Sequence, residues 1–276
     1  MTTMRYLSEN SSEAGFTHCI FVDTETESEP VIGEPRTDEL KLRMGCATYC
    51  QFSAGRIVRE IPYRFTRPSQ FWSFLDRFSG PKKCIHVIAH KASFDMQVLG
   101  LFVGLDRGHV RLARPRQQLG KPDEHGDVKL KGTEFVISDP PTIMGLETRK
   151  GFRFCVIDSL NWFRMPLEKL GESIGVAKLD MPQQTAPWRE WWEYCERDVE
   201  ILKLACARWF QWVKDNQWGM LRKTIGSQAM AAFRHAYMPK KSILKHECIA
   251  VRCLERRGYF GGRTDCFTLG TKLGSF

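Results

Sequence analysis

Four carboxylates in this chain stand where they could share one small, highly charged object. Asp23 and Glu25 flank Thr24 at the end of a short apolar run, THCIFV. In an extended chain, residues two apart point to the same side, so the two acids can converge on one point. Asp95 comes just after a second apolar run, CIHVIA, and closes the segment HKASFD. Asp198 follows Tyr194 by four residues in a long helical pattern, a spacing that puts both on one helix face. Four carboxylates gathered in a cleft repel each other and resist burial. Divalent cations relieve that cost, and oxygen-only ligands favour Mg²⁺ or Mn²⁺ over zinc. Two such ions held roughly 4 Å apart can activate a water and stabilise the leaving oxygen of a phosphodiester. Tyr194 could orient that water by a hydrogen bond. Lys178, between the second and third segments, is a candidate cation for the charge that develops on phosphorus.

Each piece alone says little. An Asp-x-Glu pair is expected about once by chance in a chain of this size, and Asp198-Val199-Glu200 is a second one here. A lone Asp95 is more often a helix cap. Tyr194 with Asp198 is more often part of an amphipathic helix, and a lone Lys178 a solvated surface charge. The signal is their order, context and spacing together.

Such residues need elements to hold them. Residues 17–26 read as a buried strand, and 27–36, with two prolines and several acids, as a loop. Residues 44–52 and 56–65 read as strands that complete a meander. Phe71, Phe74, Leu75 and Phe78 predict a helix over 69–78 after Pro68. A second buried strand is expected at 84–89 and a helix at about 93–103. Residues 106–133 are rich in Gly, Pro and charge and read as a long excursion. Its Arg107, Arg111, Arg114 and Arg116 either track a DNA backbone or form a solvated loop. Strand signals return at 134–138 and 152–158 as a hairpin. Helices follow at 166–174, opened by Pro166, at 187–217, also opened by a proline, at 224–236 and at 246–257. The Gly-rich tail from 258 breaks helix. Trp188, Trp191, Trp192, Trp209 and Trp212 could stack on unpaired bases. Trp191, Cys195, Asp198, Leu202, Ala205 and Trp209 follow helical spacing, however, so most of this stripe reads as core. Strands first and helices later point to a mixed sheet covered by helices.

The chain has 276 residues, net charge +9, 42% hydrophobic and 26% charged residues. That bounds one large domain, or a medium domain with an appendage, and excludes bulk disorder. The basic balance suits a polyanionic partner such as nucleic acid. Ten cysteines are scattered without zinc-type spacing, and the start MTTMRYLSEN lacks a signal-peptide core, so reduced thiols in an intracellular protein are expected. No apolar run approaches the ~20 residues that cross a bilayer.

The three acidic segments resemble the exonuclease motifs of the DEDD superfamily, in its tyrosine-bearing branch. FVDTET is similar to the first motif, HKASFD to the second and YCERD to the third. The nearest resemblance is to the 3′→5′ proofreading domain of family B DNA polymerases, above all the protein-primed type of phages, plasmids and mitochondria. It implies that Asp23, Glu25, Asp95 and Asp198 hold two metal ions, Mg²⁺ or Mn²⁺, that Tyr194 positions the water, and that Lys178, in GVAKLD, is a catalytic lysine. It also implies that Thr26 and Phe94 touch a single-stranded 3′ end. One position departs from the pattern: Lys91 stands where the family usually has an Asn that holds the strand. A lysine can hold a phosphate as a point charge but cannot copy the amide's paired donor and acceptor. Near the end, Tyr259-Phe260-Gly261-Gly262-Arg263 resembles the Y-x-G-G element between the exonuclease and polymerase domains of that family. Its glycines would let backbone approach DNA, and Arg263 could meet a phosphate.

The expectations are therefore these. The fold is ribonuclease H-like α/β, a mixed central sheet flanked by helices, with a helical C-terminal extension. Residues 1–15 are a flexible leader, 16–218 the exonuclease domain and 219–276 the helical stub of a polymerase domain. The chain hydrolyses DNA 3′ termini to nucleoside monophosphates at a site of DNA replication. No palm motif follows, so polymerisation by this chain alone is not expected. Its partners are a single-stranded DNA 3′ end and a separate polymerase domain or terminal protein, with no membrane. The main alternative is a non-catalytic remnant that binds DNA or docks with a polymerase; an RNA exonuclease of the same superfamily is a further one.

Overall fold

The computed structural model describes residues 5–30, 38–112, 135–137 and 142–245, with positions 251, 253, 254 and 257 of a later helical segment. Its strands are β1 (Arg5–Tyr6), β2 (His18–Pro30), β3 (Asp38–Ser53), β4 (Arg56–Phe65), β5 (Cys84–Ala89), β6 (Val110–Leu112), β7 (Phe135–Ile137), β8 (Thr142–Thr148), β9 (Arg153–Asp158) and β10 (Leu244–Lys245). Its helices are α1 (Pro68–Phe78), α2 (Ala92–Val98), α3 (Leu101–Asp106), α4 (Leu167–Ser173), α5 (Trp188–Asp215) and α6 (Ile225–Ala232), the last continued by a π-helical turn, Phe233–Tyr237. The chain divides into two compact units. Asn10–Tyr237 holds the main sheet and its helices. In the other unit β1 pairs antiparallel with β10, and the Leu7 N–H donates to the Ile243 carbonyl at 2.8 Å.

Alternation along β2 sets the layers. Ile20 and Val22 face one side of the sheet, Cys19 and Phe21 the other, and all four are fully buried. On the first side they pack with Phe71, Phe74 and Leu75 of α1 and Met96 of α2. On the second they pack with Cys195, Val199, Leu202 and Phe210 of α5. The sheet runs β4-β3-β2-β5-β9-β8-β6, with β7 also paired to β8. β2, β5 and β9 are mutually parallel, and the remaining pairs are antiparallel. The molecule is thus α/β, a mixed sheet with flanking helices and a helical part after α5, consistent with a ribonuclease H-like fold.

Several elements depart from the sequence reading. Residues 27–30 are not loop: they continue β2, paired from Glu27↔Lys41 to Pro30↔Asp38. Ladder hydrogen bonds to β3 outweigh the acidic composition, and proline is tolerated at a strand end. The helix expected at 93–103 is two, because Gly100 adopts φ +71° between α2 and α3. Thr142–Thr148 is a strand that was not foreseen, and it makes the hairpin β8–β9 through a turn with Gly151 at φ +75°. Its Gly145 and the prolines before it hide the strand pattern. A short strand, β6, lies inside the excursion read as loop; residues 113–134 lie outside the described residues, as do Arg114 and Arg116. Most of the 246–257 helix and all of the 258–276 tail also lie outside them. Among the described residues, no helix is long and apolar enough to cross a membrane.

Candidate metal centre

The parallel ladder ends at one edge of the sheet, where open α/β sheets present ligands. β5 and β9 stop at Ala89 and Asp158, and β2 runs on paired with β3. β2 and β5 are in register at Phe21↔Ile88, and β5 and β9 at Ala89↔Asp158. Asp23 and Glu25 follow on β2. Asp95 stands one turn into α2, the helix that leaves β5 through His90 and Lys91. α5 packs across β2 and β3 and brings Tyr194 and Asp198 to the same edge.

The polar groups there are buried. Asp95 is 3% exposed, Asp198 4% and Glu25 8%, while Asp23 is half-buried. Thr24 points to the α2 side and its hydroxyl donates to Asp95 Oδ1 at 2.8 Å. Asp23 points to the α5 side, where the Cys195 thiol lies 3.6 Å from its carbonyl and 3.7 Å from its Oδ2. Ligand atoms of Asp23, Glu25 and Cys195 all fall within 4.8 Å of one another. Lys178, in the segment after α4, donates to Asp198 Oδ2, and its Nζ lies 4.2 Å from the centre of the Tyr194 ring. Asp198 Oδ1 is buried and receives no hydrogen bond from the described residues.

The acids resist ionisation. Removal from water, then the charges of Asp95, Asp198 and Glu25, push Asp23 well above the usual carboxylate range. Burial and Asp198 push Glu25 up to about 7, against the pull of Lys178. Burial brings Asp95 to about 7 despite its bond from Thr24. Burial also raises Asp198, with Lys178 opposing. Burial works against the Lys178 charge, but its bonds to Asp198 and Tyr194 win and its pKa is raised. Asp23 thus feels Asp95, Asp198 and Glu25, and Glu25 feels Asp198, with Tyr194 and Lys178 beside Asp198.

The other residues singled out in the sequence are placed as follows. Thr26 is half-buried just past a β-bulge between Glu25 and Thr26, where Arg43 of β3 is the extra residue. Lys91 is exposed in the left-handed region, φ 68°, just before α2. Phe94 is 40% exposed, next to Asp95. Arg107 and Arg111 are exposed. Trp191 is buried as expected for core, Trp192 and Trp209 are half-buried, and Trp188 and Trp212 remain exposed. Tyr259, Gly261, Gly262 and Arg263 lie outside the described residues.

Sequence reasoning missed three neighbours of the site. Asp158, 2% exposed, accepts from the backbone N–H of Lys91, Ala92 and Leu160 at 3.2, 3.0 and 2.9 Å, and so ties the start of α2 to the end of β9. Its signal was present: Val-Ile-Asp158 ends a buried run as Phe-Val-Asp23 does. Cys195 read only as core. Arg43 lowers the Glu25 pKa, lies 4.2 Å over the Trp191 ring and donates to the Gln184 carbonyl at 3.2 Å. Nothing in its sequence context marked it.

No protein-family model matches this chain, and no curated protein matches its sequence. Solved structures do match in fold. Phi29 DNA polymerase complexed with primer-template DNA and incoming nucleotide substrates aligns with TM-score 0.56 at 14% identity, over 90% of this chain and 39% of that one. Its primer-template binary complex aligns with TM-score 0.54 at 14% identity, over 90% and 40%. Its complex with single-stranded DNA gives 0.53 at 13%, over 90% and 40%. The likeness is one of fold, and the chain spans about two fifths of the polymerase's length.

Proposed function

We propose that this chain is a metal-dependent 3′→5′ exonuclease that hydrolyses DNA 3′ termini to nucleoside monophosphates, part of a protein related to family B DNA polymerases. The observation that carries this reading is that the charges of Asp95, Asp198 and Glu25 all act on Asp23 where β5 and β9 end, with one buried oxygen of Asp198 left without a partner among the described residues. An orphaned buried carboxylate oxygen is costly unless a cation meets it. The donor set fits a hard divalent ion, so these four acids would hold two ions, Mg²⁺ or Mn²⁺. When bound, such ions acidify a water and stabilise charge on a phosphodiester.

The chain's own residues do the rest. Tyr194, held by Lys178, orients the attacking water through its hydroxyl. Lys178 offers its ammonium to the charge developing on phosphorus. Asp158 fixes the turn that carries Lys91 and the helix that carries Asp95. Phe94, exposed beside Asp95, stacks a terminal base, and Thr26 and Lys91 meet the strand. The exonuclease domain spans 16–218, and 219–276, with the Tyr259–Arg263 element, is the helical stub of a polymerase-type domain. The fold-level likeness to a polymerase crystallised with single-stranded DNA supports a DNA 3′ end as partner.

One observation favours the rival remnant: Lys178 already neutralises part of the acid cluster by pairing with Asp198. A 5′-labelled single-stranded DNA incubated with the purified chain and Mn²⁺ decides. Stepwise shortening from the 3′ end is expected, abolished by Asp23→Ala or Asp198→Ala and slowed by Tyr194→Phe. Equal behaviour of wild type and Asp23→Ala would establish the remnant instead.

A further inference from the structure

The acid cluster contains a sulfur that a hard-metal centre does not need. We propose that Asp23, Glu25 and Cys195 form a mixed oxygen–sulfur site that takes a thiophilic divalent ion, Zn²⁺ or Cd²⁺, in preference to Mg²⁺. Their ligand atoms lie within 4.8 Å of one another, and Cys195 Sγ is 3.7 Å from Asp23 Oδ2. With zinc–sulfur bonds of about 2.3 Å and zinc–oxygen bonds of about 2.0–2.2 Å, neighbouring ligand atoms of a tetrahedron stand roughly 3.5 Å apart. One edge of that tetrahedron is therefore in place, and Glu25 closes a second with a small rotamer change.

A fourth donor comes from an independent observation. Asp198, 4% exposed, keeps Oδ1 buried and unpartnered, and its charge acts on both Asp23 and Glu25. It follows Cys195 by three residues on α5, so the two share a helix face. Asp23, Glu25 and Cys195 supply three ligand atoms that are already close together. Asp198, which lies outside that group and whose Oδ2 is held by Lys178, would complete a four-coordinate set by turning its free Oδ1 toward them. On binding, the thiol proton leaves to solvent and the sulfur exchanges its weak bonds to Asp23 for the metal. Mg²⁺ gains nothing from the sulfur, because hard cations take oxygen ligands; Zn²⁺ and Cd²⁺ gain a soft one. One centre thus has two loadings, and the thiophilic ion displaces the hard one. That this displacement silences the nuclease rests on the function proposed above; the binding itself does not.

The test therefore uses metal-stripped full chain without DNA. Addition of Cd²⁺ should produce a thiolate-to-cadmium charge-transfer band saturating near one equivalent. Cys195→Ser should remove that first-equivalent band and weaken Cd²⁺ binding on the order of 10- to 100-fold, the loss that even an outer-sphere change brings. Mn²⁺ affinity, read by electron paramagnetic resonance, should change less. Glu25→Gln, which keeps every sulfur, should also weaken the first Cd²⁺, and this arm serves if Cys195→Ser does not fold. An unchanged first-equivalent band in Cys195→Ser, or Cd²⁺ affinity unmoved in Glu25→Gln, overturns the proposal. Loss of the band in Cys195→Ser from a chain without nuclease activity would uphold this site and defeat the proposed function. A nuclease whose Cd²⁺ band ignores both substitutions would do the reverse.

Discussion

Asp23 is removed from water and then faces three other acids with one ammonium nearby, and burial first, charge second, makes its ionised form unfavourable in the metal-free protein. A residue in that position works against the fold that holds it. Asp23→Asn keeps the shape and an acceptor oxygen for the Cys195 thiol but removes the charge. We expect the metal-free variant to gain about 1–2 kcal/mol, the usual scale of stability given up at functional sites. That raises Tm by about 2–4 °C per kcal/mol in a domain of this size. Melting in EDTA and in Mn²⁺ checks this. Wild type should rise clearly with Mn²⁺, and the variant should start higher and rise little. A variant less stable than wild type in EDTA would mean that the acids do not repel one another as the geometry implies.

Elements carry these side chains, and here the sequence was informative unevenly. Asp23 and Asp95 could be read because each follows a short apolar run too brief for anything but a buried strand, and Asp198 because Tyr194 shares its helix face. Asp158 ends a buried run as Asp23 does, but its role, to accept three backbone N–H groups, is one that no spacing encodes. Cys195 escaped because a buried cysteine in a helical stripe looks like packing, and it is also packing. β8 escaped because its glycine and the preceding prolines hide a strand that only its neighbours on both sides create. Lys91 was flagged for its chemistry, but its backbone gives a second reason to expect Asn there. It holds φ 68°, a region that Asn tolerates far better than Lys. Lys91→Asn should therefore stabilise the chain by up to about 1 kcal/mol, read by urea unfolding; a loss would show that the lysine side chain earns its place by contacts. Gly171, on α4, packs where a β-carbon would collide with the Val176 carbonyl and crowd Ile201 of α5. Gly175, at φ +74°, ends that helix. The segment from Val176 leads directly to Lys178, so Gly171→Ala should cost about 1–3 kcal/mol by overpacking. If the chain is the nuclease proposed above, the substitution should also lower kcat without touching any site residue. An unaltered rate at unaltered stability would detach α4 from the positioning of Lys178.

At the scale of the whole molecule, a chain of net charge +9 keeps its acids at one buried edge, and global stability must record that arrangement. Glu25 rises from 4.5 to about 7 and Asp95 from 3.8 to about 7, and burial also holds Asp23 well above the usual carboxylate range. Their folded forms hold protons that the unfolded chain has already released. The folded state thus binds more protons, and stability falls as pH rises from the unfolded values through about 7. Buried histidines act in the other direction: burial lowers His86 from 6.5 to about 3 and also lowers His18 and His90. Their neutral folded forms lose stability as pH falls below 6.5. The two trends oppose each other below that value, and above it only the acids act. In EDTA, the melting temperature should therefore fall from pH 6.5 into the mildly alkaline range. Divalent ions offset both the burial and the repulsion that raise the acids, so with saturating Mn²⁺ the same range should be nearly flat, and the gap between the two curves should widen as pH rises. Asp23→Asn should flatten the EDTA curve without any metal. Parallel curves with and without Mn²⁺ would mean that the ion binds elsewhere, and a slope unchanged by Asp23→Asn would place the titrating groups outside this cluster.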